Sequence, residues 1–446
     1  MLKKVLLYSI LIASFFVLFY GIYKSEIIFD GQNREFYIIY IVFSLIGIVS
    51  AWFIRYLNYE KIKFLSVSIL VFIFSIYFFE FYTSYLSNKN FKDPNIHKKV
   101  ELLKNEYGKD YDTRSIYEYY LSQLKKNKDI KIDNSPSNYV NHKKIKIFPL
   151  SGYSNSEIIL CNEFGYFEHI FTDRYGFNNS DKIWDEERID YVLIGDSFIE
   201  GYCQNNENTI AENLRKLLNK SILNLGQGAA GTLQEYAILL EYVPKNVKSI
   251  IWFISDNDII DLEKELKHPI LYNYLSKNFG YQLLKSKHME IDNFIKEMFV
   301  QEEMKRSNIK FIRFIKLTLL RDYIHSIFNT KIKAESNIEN NDKKSFLYFK
   351  KIMENLKKFC EYNDLDLHIV YLPSYLYFKD NTYKNRHYYF IKEIIKDLEM
   401  NLIDINEIVF KKESNPYDLF PFGLYGHYND IGSKKVSKAI YKLIIK

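Results

Sequence analysis

Four short stretches of this sequence carry residue types that can do chemistry together. Residues 195–201 read Gly-Asp-Ser-Phe-Ile-Glu-Gly, and residues 224–231 read Asn-Leu-Gly-Gln-Gly-Ala-Ala-Gly. Residues 255–258 read Ser-Asp-Asn-Asp, and residues 426–432 read Gly-His-Tyr-Asn-Asp-Ile-Gly. A serine hydroxyl is a weak nucleophile until a base removes its proton. Ser197 offers the hydroxyl and His427 the base. Attack on an ester creates an oxyanion that needs hydrogen-bond donors, each worth about 3–4 kcal/mol in the transition state. The Ser197 backbone N–H, the N–H of Gly228 or Ala229, and the Asn257 amide are suited to that role.

These stretches must converge, and the pattern around them says how. From Ile189 onward, apolar strand-like runs alternate with helix-like runs: 189–194, 221–225, 249–255, 367–373 and 401–405 as strands, with helices at 232–243, 345–362, 384–400 and 433–445. Thr209 and Glu212 read as a capping box, opening a helix whose apolar face is Ile210, Leu214, Leu217 and Leu218. Such alternation predicts an α/β fold, a parallel sheet with helices on both faces. In that architecture ligands sit beyond the carboxyl ends of the strands. Three of the four stretches lie at strand ends, and the fourth precedes the last helix. The charged, helical segment from about 262 to 340 reads as an insertion.

In this order, Gly-Asp-Ser, a glycine turn, Asn-Asp and a late His, the sequence resembles the SGNH (GDSL-like) hydrolase and acyltransferase superfamily, over Ile189 to the C-terminus. The run TDRYGFNN, Thr172 to Asn179, resembles segments ahead of the catalytic strand in membrane-anchored bacterial members linked to surface polysaccharide modification. The resemblance implies a flavodoxin-like sheet, Ser197 as nucleophile, His427 as base, Asn257 in the oxyanion hole and Asp196 in a structural role. Three positions depart from the pattern. Ala229 stands where the family has glycine, and Ser255 where its third block begins with glycine. Leu424 and Tyr425 occupy the places of the acid that orients the histidine. Loss of that acid costs about 10⁴ in kcat in the serine-protease template. Three alternatives stay open: a backbone carbonyl orients His427, Asp418 reaches it, or activity is low.

Gly226, Gly228 and Gly231 also spell G-x-G-x-x-G, a dinucleotide fingerprint when it follows the first strand of a βαβ unit. Here it follows the second strand, so the glycines are read as one wall of the oxyanion hole, and no cofactor is expected. Cys161, Cys203 and Cys360 lie far apart, near no histidine pair. They imply neither a zinc site nor a disulfide framework, and Cys203 reads as a small buried apolar residue. The net charge of +6 is spread among interleaved acids, which excludes a nucleic-acid stripe.

Residues 5–23, 36–54 and 64–79 are uncharged and apolar, near the roughly 20 residues that a membrane span requires. They predict a three-helix anchor. Lys3, Lys4, Arg55, Lys61 and Lys63 fall on one side and Lys24 and Arg34 on the other. The positive-inside rule then puts the remainder outside the inner membrane. The expected organisation is an anchor at 1–87, a stalk at 88–144, a small β-rich lead-in at 145–188 and the catalytic domain at 189–446. The expected function is a serine esterase or O-acyltransferase acting on O-acyl, chiefly acetyl, groups of extracytoplasmic glycans or glycolipids, with membrane partners of polysaccharide assembly. The rival is a catalytically degenerate protein that binds glycans or serves as a scaffold.

Overall fold

The computed structural model describes residues 2–28, 31, 34–90, 95–276, 280–321, 334–379 and 384–445. The chain divides into two compact units. One comprises Met1–Lys89 and Asn308–Phe328, the other Asn90–Ser307 and Asn329–Lys446.

The first unit holds helices Leu2–Ile22, Arg34–Phe53 and Tyr59–Asn90. Spans Lys3–Ile27 and Tyr59–Thr83 are long and apolar enough to cross a membrane, whereas the middle helix has a shorter apolar stretch, Tyr40–Tyr56. Large apolar side chains such as Phe16, Phe19, Phe43 and Phe74 are exposed. A returning piece of the expected insertion belongs here too. Leu319 and Leu320 donate their N–H groups to the Glu80 carboxylate at 3.0 and 2.9 Å, and Tyr77 donates to the Ile315 carbonyl. The insertion is helical as expected, with helices His288–Ile315 and Ala334–Tyr362.

The second unit is built on two sheets. The smaller comprises β1 (Lys131–Ile132), β2 (Glu157–Ile159) and β3 (His169–Phe171), with β1 parallel and β3 antiparallel to β2. Part of the segment expected as a stalk is therefore paired with the lead-in. The larger sheet comprises β4 (Ile189–Ile194), β5 (Ile222–Asn224), β6 (Val247–Ser255), β7 (Asp366–Leu372) and β8 (Leu402–Asp404). Its order is β5-β4-β6-β7-β8 and every pair is parallel. This is the flavodoxin-like order, and it reverses direction at β4.

Alternation along the strands explains the layers. Val192, Ile194, Ile250, Trp252 and Ile254 enter one core with Leu233 and Leu239 of helix Thr232–Tyr242 and Ile352 of helix Ala334–Tyr362. Leu193, Ile251 and Phe253 point the other way. They pack with Ile210 and Leu214 of helix Ile210–Leu218 and with Val436 and Ile440 of helix Asp430–Ile444. The Thr209 hydroxyl accepts the Glu212 N–H at 3.2 Å, fixing the start of its helix. Both faces are covered, so the carboxyl edge at β4 is where a ligand can enter.

Candidate active site

The turn that carries Ser197 is shaped by a close approach. A Cβ on Gly195 would lie 2.7 Å from Ile199 Cγ1 and 3.1 Å from Phe253 Cβ, so glycine lets the chain turn sharply off β4. Asp196 caps the short helix Ser197–Glu200 by accepting the Phe198 N–H at 3.0 Å. Ser197, half-buried, is its first residue. An N–H at that position has no helical acceptor and is left for a ligand.

His427 comes from the loop ahead of the last helix, which Asn429 caps by accepting the Gly432 N–H at 2.9 Å. Its Nε2 lies 2.8 Å from Ser197 Oγ. Its Nδ1 lies 3.0 Å from Glu163 Oε1, and its backbone N–H donates to Glu163 Oε2 at 2.7 Å. The imidazole is flanked by the rings of Phe198 and Tyr202, with centroids 5.1 and 5.6 Å away. Burial disfavours the imidazolium, but the Glu163 carboxylate outweighs it, helped by Asp196, and holds the histidine above its ordinary value.

Glu163 is therefore the acid whose absence from the late histidine block left three alternatives open. Asp418 does not fill the role. Its carboxylate accepts the Asn415 amide at 2.7 Å and its carbonyl accepts the Asn429 amide at 2.8 Å. The chain between Asp418 and His427 is taken up by the 3₁₀ turns Pro416–Leu419 and Pro421–Gly423, and the face of the imidazole opposite Ser197 is already occupied. Glu163 arrives from the loop between β2 and β3. A Cβ on Gly426 would sit 2.7 Å from Glu163 Oε2, so glycine beside the histidine admits the carboxylate.

The Glu163 loop is held from several sides. The Tyr111 hydroxyl donates to the Asn162 carbonyl at 3.1 Å, the Asn162 amide donates to the Asp112 carbonyl at 2.8 Å, and the Asp112 N–H donates to the Gly165 carbonyl at 2.8 Å. A disulfide joins Cys161 to Cys203, with Cα atoms 4.9 Å apart. This corrects the reading of Cys203 as an apolar filler, because the bridge links the Glu163 loop to the turn that follows Ser197. Cys360 is free and buried.

The expected oxyanion donors lie at the ends of β4, β5 and β6. Ala229 adopts the left-handed conformation, φ +55°, and is exposed. Its N–H has no protein acceptor among the described residues, whereas the Gly228 N–H is turned towards the Glu200 carboxyl group. Ala229 is thus the better-placed donor of the two. Asn257 precedes helix Asp258–Glu265. Its Oδ1 accepts the Ser255 hydroxyl at 2.7 Å, and its Nδ2 makes only long contacts of 3.4 and 3.5 Å to Asp196 and Asp261. The serine that departs from the family pattern orients this amide. Ser255 Oγ also lies 3.0 Å from both Asp196 Oδ2 and Asp258 Oδ1. Burial, reinforced by Asp196, pushes the Asp258 carboxyl well above its ordinary value.

The glycine fingerprint has no room for a pyrophosphate where its mechanism requires one. The Glu265 carboxylate accepts the N–H groups of Gly231, Leu233 and Gln234 at 2.7, 2.9 and 3.3 Å, filling the anion-attracting end of helix Thr232–Tyr242.

No family profile matches the chain, and no curated protein matches it. Among solved structures, it is similar to one described as a lipolytic protein of the G-D-S-L family from Desulfitobacterium hafniense, at 11% identity and a TM-score of 0.32, covering 57% of this chain and 99% of that one. It is also similar to an acetyl xylan esterase, at 13% identity and a TM-score of 0.33, covering 57% of this chain and all of that one. At these scores neither likeness bears on the activity, which is argued from the chain's own geometry.

Proposed function

We propose that this chain is a serine-dependent ester hydrolase or O-acyltransferase that forms an acyl-enzyme on Ser197. The observation that carries the proposal is the unbroken relay from Glu163 through His427 to Ser197, at 3.0 and 2.8 Å. His427 Nε2 takes the Ser197 proton as Oγ attacks the ester carbon. The Ser197 and Ala229 N–H groups and the Asn257 amide receive the oxyanion. The imidazolium then gives its proton to the departing alkoxide, and the acyl group stays on Oγ. In the second half, His427 deprotonates water or an acceptor hydroxyl, which releases the acyl group and regenerates the serine. Glu163 holds the proton on Nδ1 throughout, so that Nε2 remains the base.

The proposed substrates are O-acyl, chiefly acetyl, groups on extracytoplasmic glycans or glycolipids, handled beside membrane partners of polysaccharide assembly. Three observations support the placement: the apolar N-terminal helices, the basic residues on one side of them, and the Cys161–Cys203 disulfide, which suits an oxidising compartment. The three-span anchor and its orientation belong to this proposal. The scaffold reading drew its support from a missing acid, and Glu163 removes that support.

The full chain in detergent, given an activated acetyl ester, should turn over and be labelled by a fluorophosphonate at Ser197. Ser197→Ala should lose both. Equal rates for the two proteins, or labelling at another residue, would overturn the assignment.

A further inference from the structure

A groove of about 990 Å³ lies against the segments that flank Glu163 and His427 in sequence. One wall is helix Ile96–Tyr107 and the chain after it. Another is Phe164 to Tyr166, directly following Glu163, and a third is Phe420 to Gly423, ahead of His427. The groove therefore shares both loops that hold the acid and the base. Pro421, in its lining, lies 2.8 Å from the position a Gly426 Cβ would take, as Glu163 Oε2 does at 2.7 Å.

Its chemistry is distinctive. Tyr107 is 62% exposed and Tyr166 50% exposed, so two phenol rings face solvent in its lining. Phe422, also in the lining, is held at φ +55°, a conformation that a non-glycine residue keeps only when its surroundings impose it. The carboxylates of Glu106, Asp110, Asp418 and Asp430 line the groove, against the ammonium of Lys109. Lys104 pairs with Asp110 at 2.7 Å and holds its carboxyl below the ordinary value, so it is ionised. Even with Lys104 included, negative charge is in excess.

We infer that this groove binds a chain of neutral or amino sugars and rejects uronate or phosphate polymers. Phenol rings offer flat apolar faces for the C–H side of a pyranose and attract an ammonium group through their negative π-face. Carboxylates accept hydroxyl and ammonium hydrogens and repel anionic groups. A sugar chain seated there lies against the loops of Glu163 and His427, so a polymer ester gains affinity from residues outside the acyl site. The inference takes the O-acyl chemistry of the substrate from the proposed function; binding to the groove is measured without turnover.

The test uses full-length protein in detergent and three hexasaccharides: N-acetylglucosamine hexamer (neutral), glucosamine hexamer (cationic) and galacturonate hexamer (anionic). Titration calorimetry should show the cationic and neutral hexamers bound and the anionic one at least tenfold weaker. Tyr107→Ala and Tyr166→Ala should each weaken binding about tenfold. Glu106→Lys, at an exposed position, should weaken the cationic hexamer more than the neutral one. Tyr107→Ala and Glu106→Lys, outside the Glu163 loop, should keep wild-type turnover of a small activated acetyl ester, which shows that they fold and isolates the groove from the acyl chemistry. Failure of small-ester turnover in the wild type would strike the proposed function and leave the binding result standing. Equal or tighter binding of the anionic hexamer, no binding of either other hexamer, undiminished binding in both tyrosine variants, or tighter binding of pentalysine than of any sugar would overturn the inference.

Discussion

Glu163→Gln separates orientation from shape. The two residues are nearly isosteric, but the carboxylate meets two hydrogen donors: the His427 backbone N–H at 2.7 Å and Nδ1–H at 3.0 Å. A glutamine has one acceptor and one donor at that end. The backbone N–H requires the oxygen, so the NH₂ must face Nδ1. That selects the tautomer with its proton on Nε2, which donates to Ser197 instead of accepting from it. The carboxylate also stabilises the imidazolium that forms during attack. At 3.0 Å and an effective dielectric of about 20, the interaction is at most about 5–6 kcal/mol. At 1.36 kcal/mol per decade, that is up to roughly 10⁴ in rate, the size of the loss that the wrong tautomer brings in the serine-protease template. Stopped-assay kinetics on an activated acetyl ester should therefore show kcat falling by about 10³–10⁴ with little change in KM. Glu163→Ala, which leaves the imidazole free to choose its tautomer, should be no worse than Glu163→Gln. A glutamine variant retaining more than a tenth of wild-type kcat, or one much better than the alanine variant, would refute the reasoning.

Four further outcomes follow from the same geometry. The base works neutral and its pKa is raised, so the acid limb of kcat/KM should have its midpoint above the ordinary imidazole value of about 6.5. In Glu163→Gln, where burial is opposed by Asp196 alone, that midpoint should move down, and an unmoved midpoint would contradict the coupling. The stabilisation from the charged pair is complete below the unfolded histidine pKa and lost as pH rises through the folded one. Glu163→Gln should therefore cost more stability by denaturant titration at pH 5.5 than at pH 9. Replacing Cys161 and Cys203 by alanine opens a 42-residue separation; chain entropy puts the loss near about 4 kcal/mol, readable by urea titration, and kcat should fall as the Glu163 loop loosens. Ala229→Gly relieves a left-handed alanine at φ +55° and should raise stability by about 1 kcal/mol with activity retained, because the N–H donor remains.

The alternation of apolar runs made the larger sheet legible in the sequence. Strands with both faces buried, such as 249–255, must be apolar throughout, and the helices between them show a stripe instead. The Thr209 cap and the glycine after β4 were legible for the same local reason. Ser197, His427 and Asn257 could be named because each sits in a short block whose types suit one reaction. Glu163 could not. It lies 264 positions before its partner, in a loop with no periodicity, and nothing local distinguishes it from any other surface glutamate. One signal was available: Cys161, two residues away, and Cys203, soon after Ser197, are the two cysteines that the structure pairs.

Local chemistry in the chain was enough to determine an α/β sheet and to single out Ser197 and His427, because propensity and alternation act over a few residues and survive without context. Tertiary structure alone decided which acid faces the imidazole, which turn N–H is left without an acceptor among the described residues, and that Glu265 occupies the end of helix Thr232–Tyr242. Each of those depends on two segments meeting through space, where a hydrogen-bond partner is set by distance and direction, and sequence separation says nothing about either.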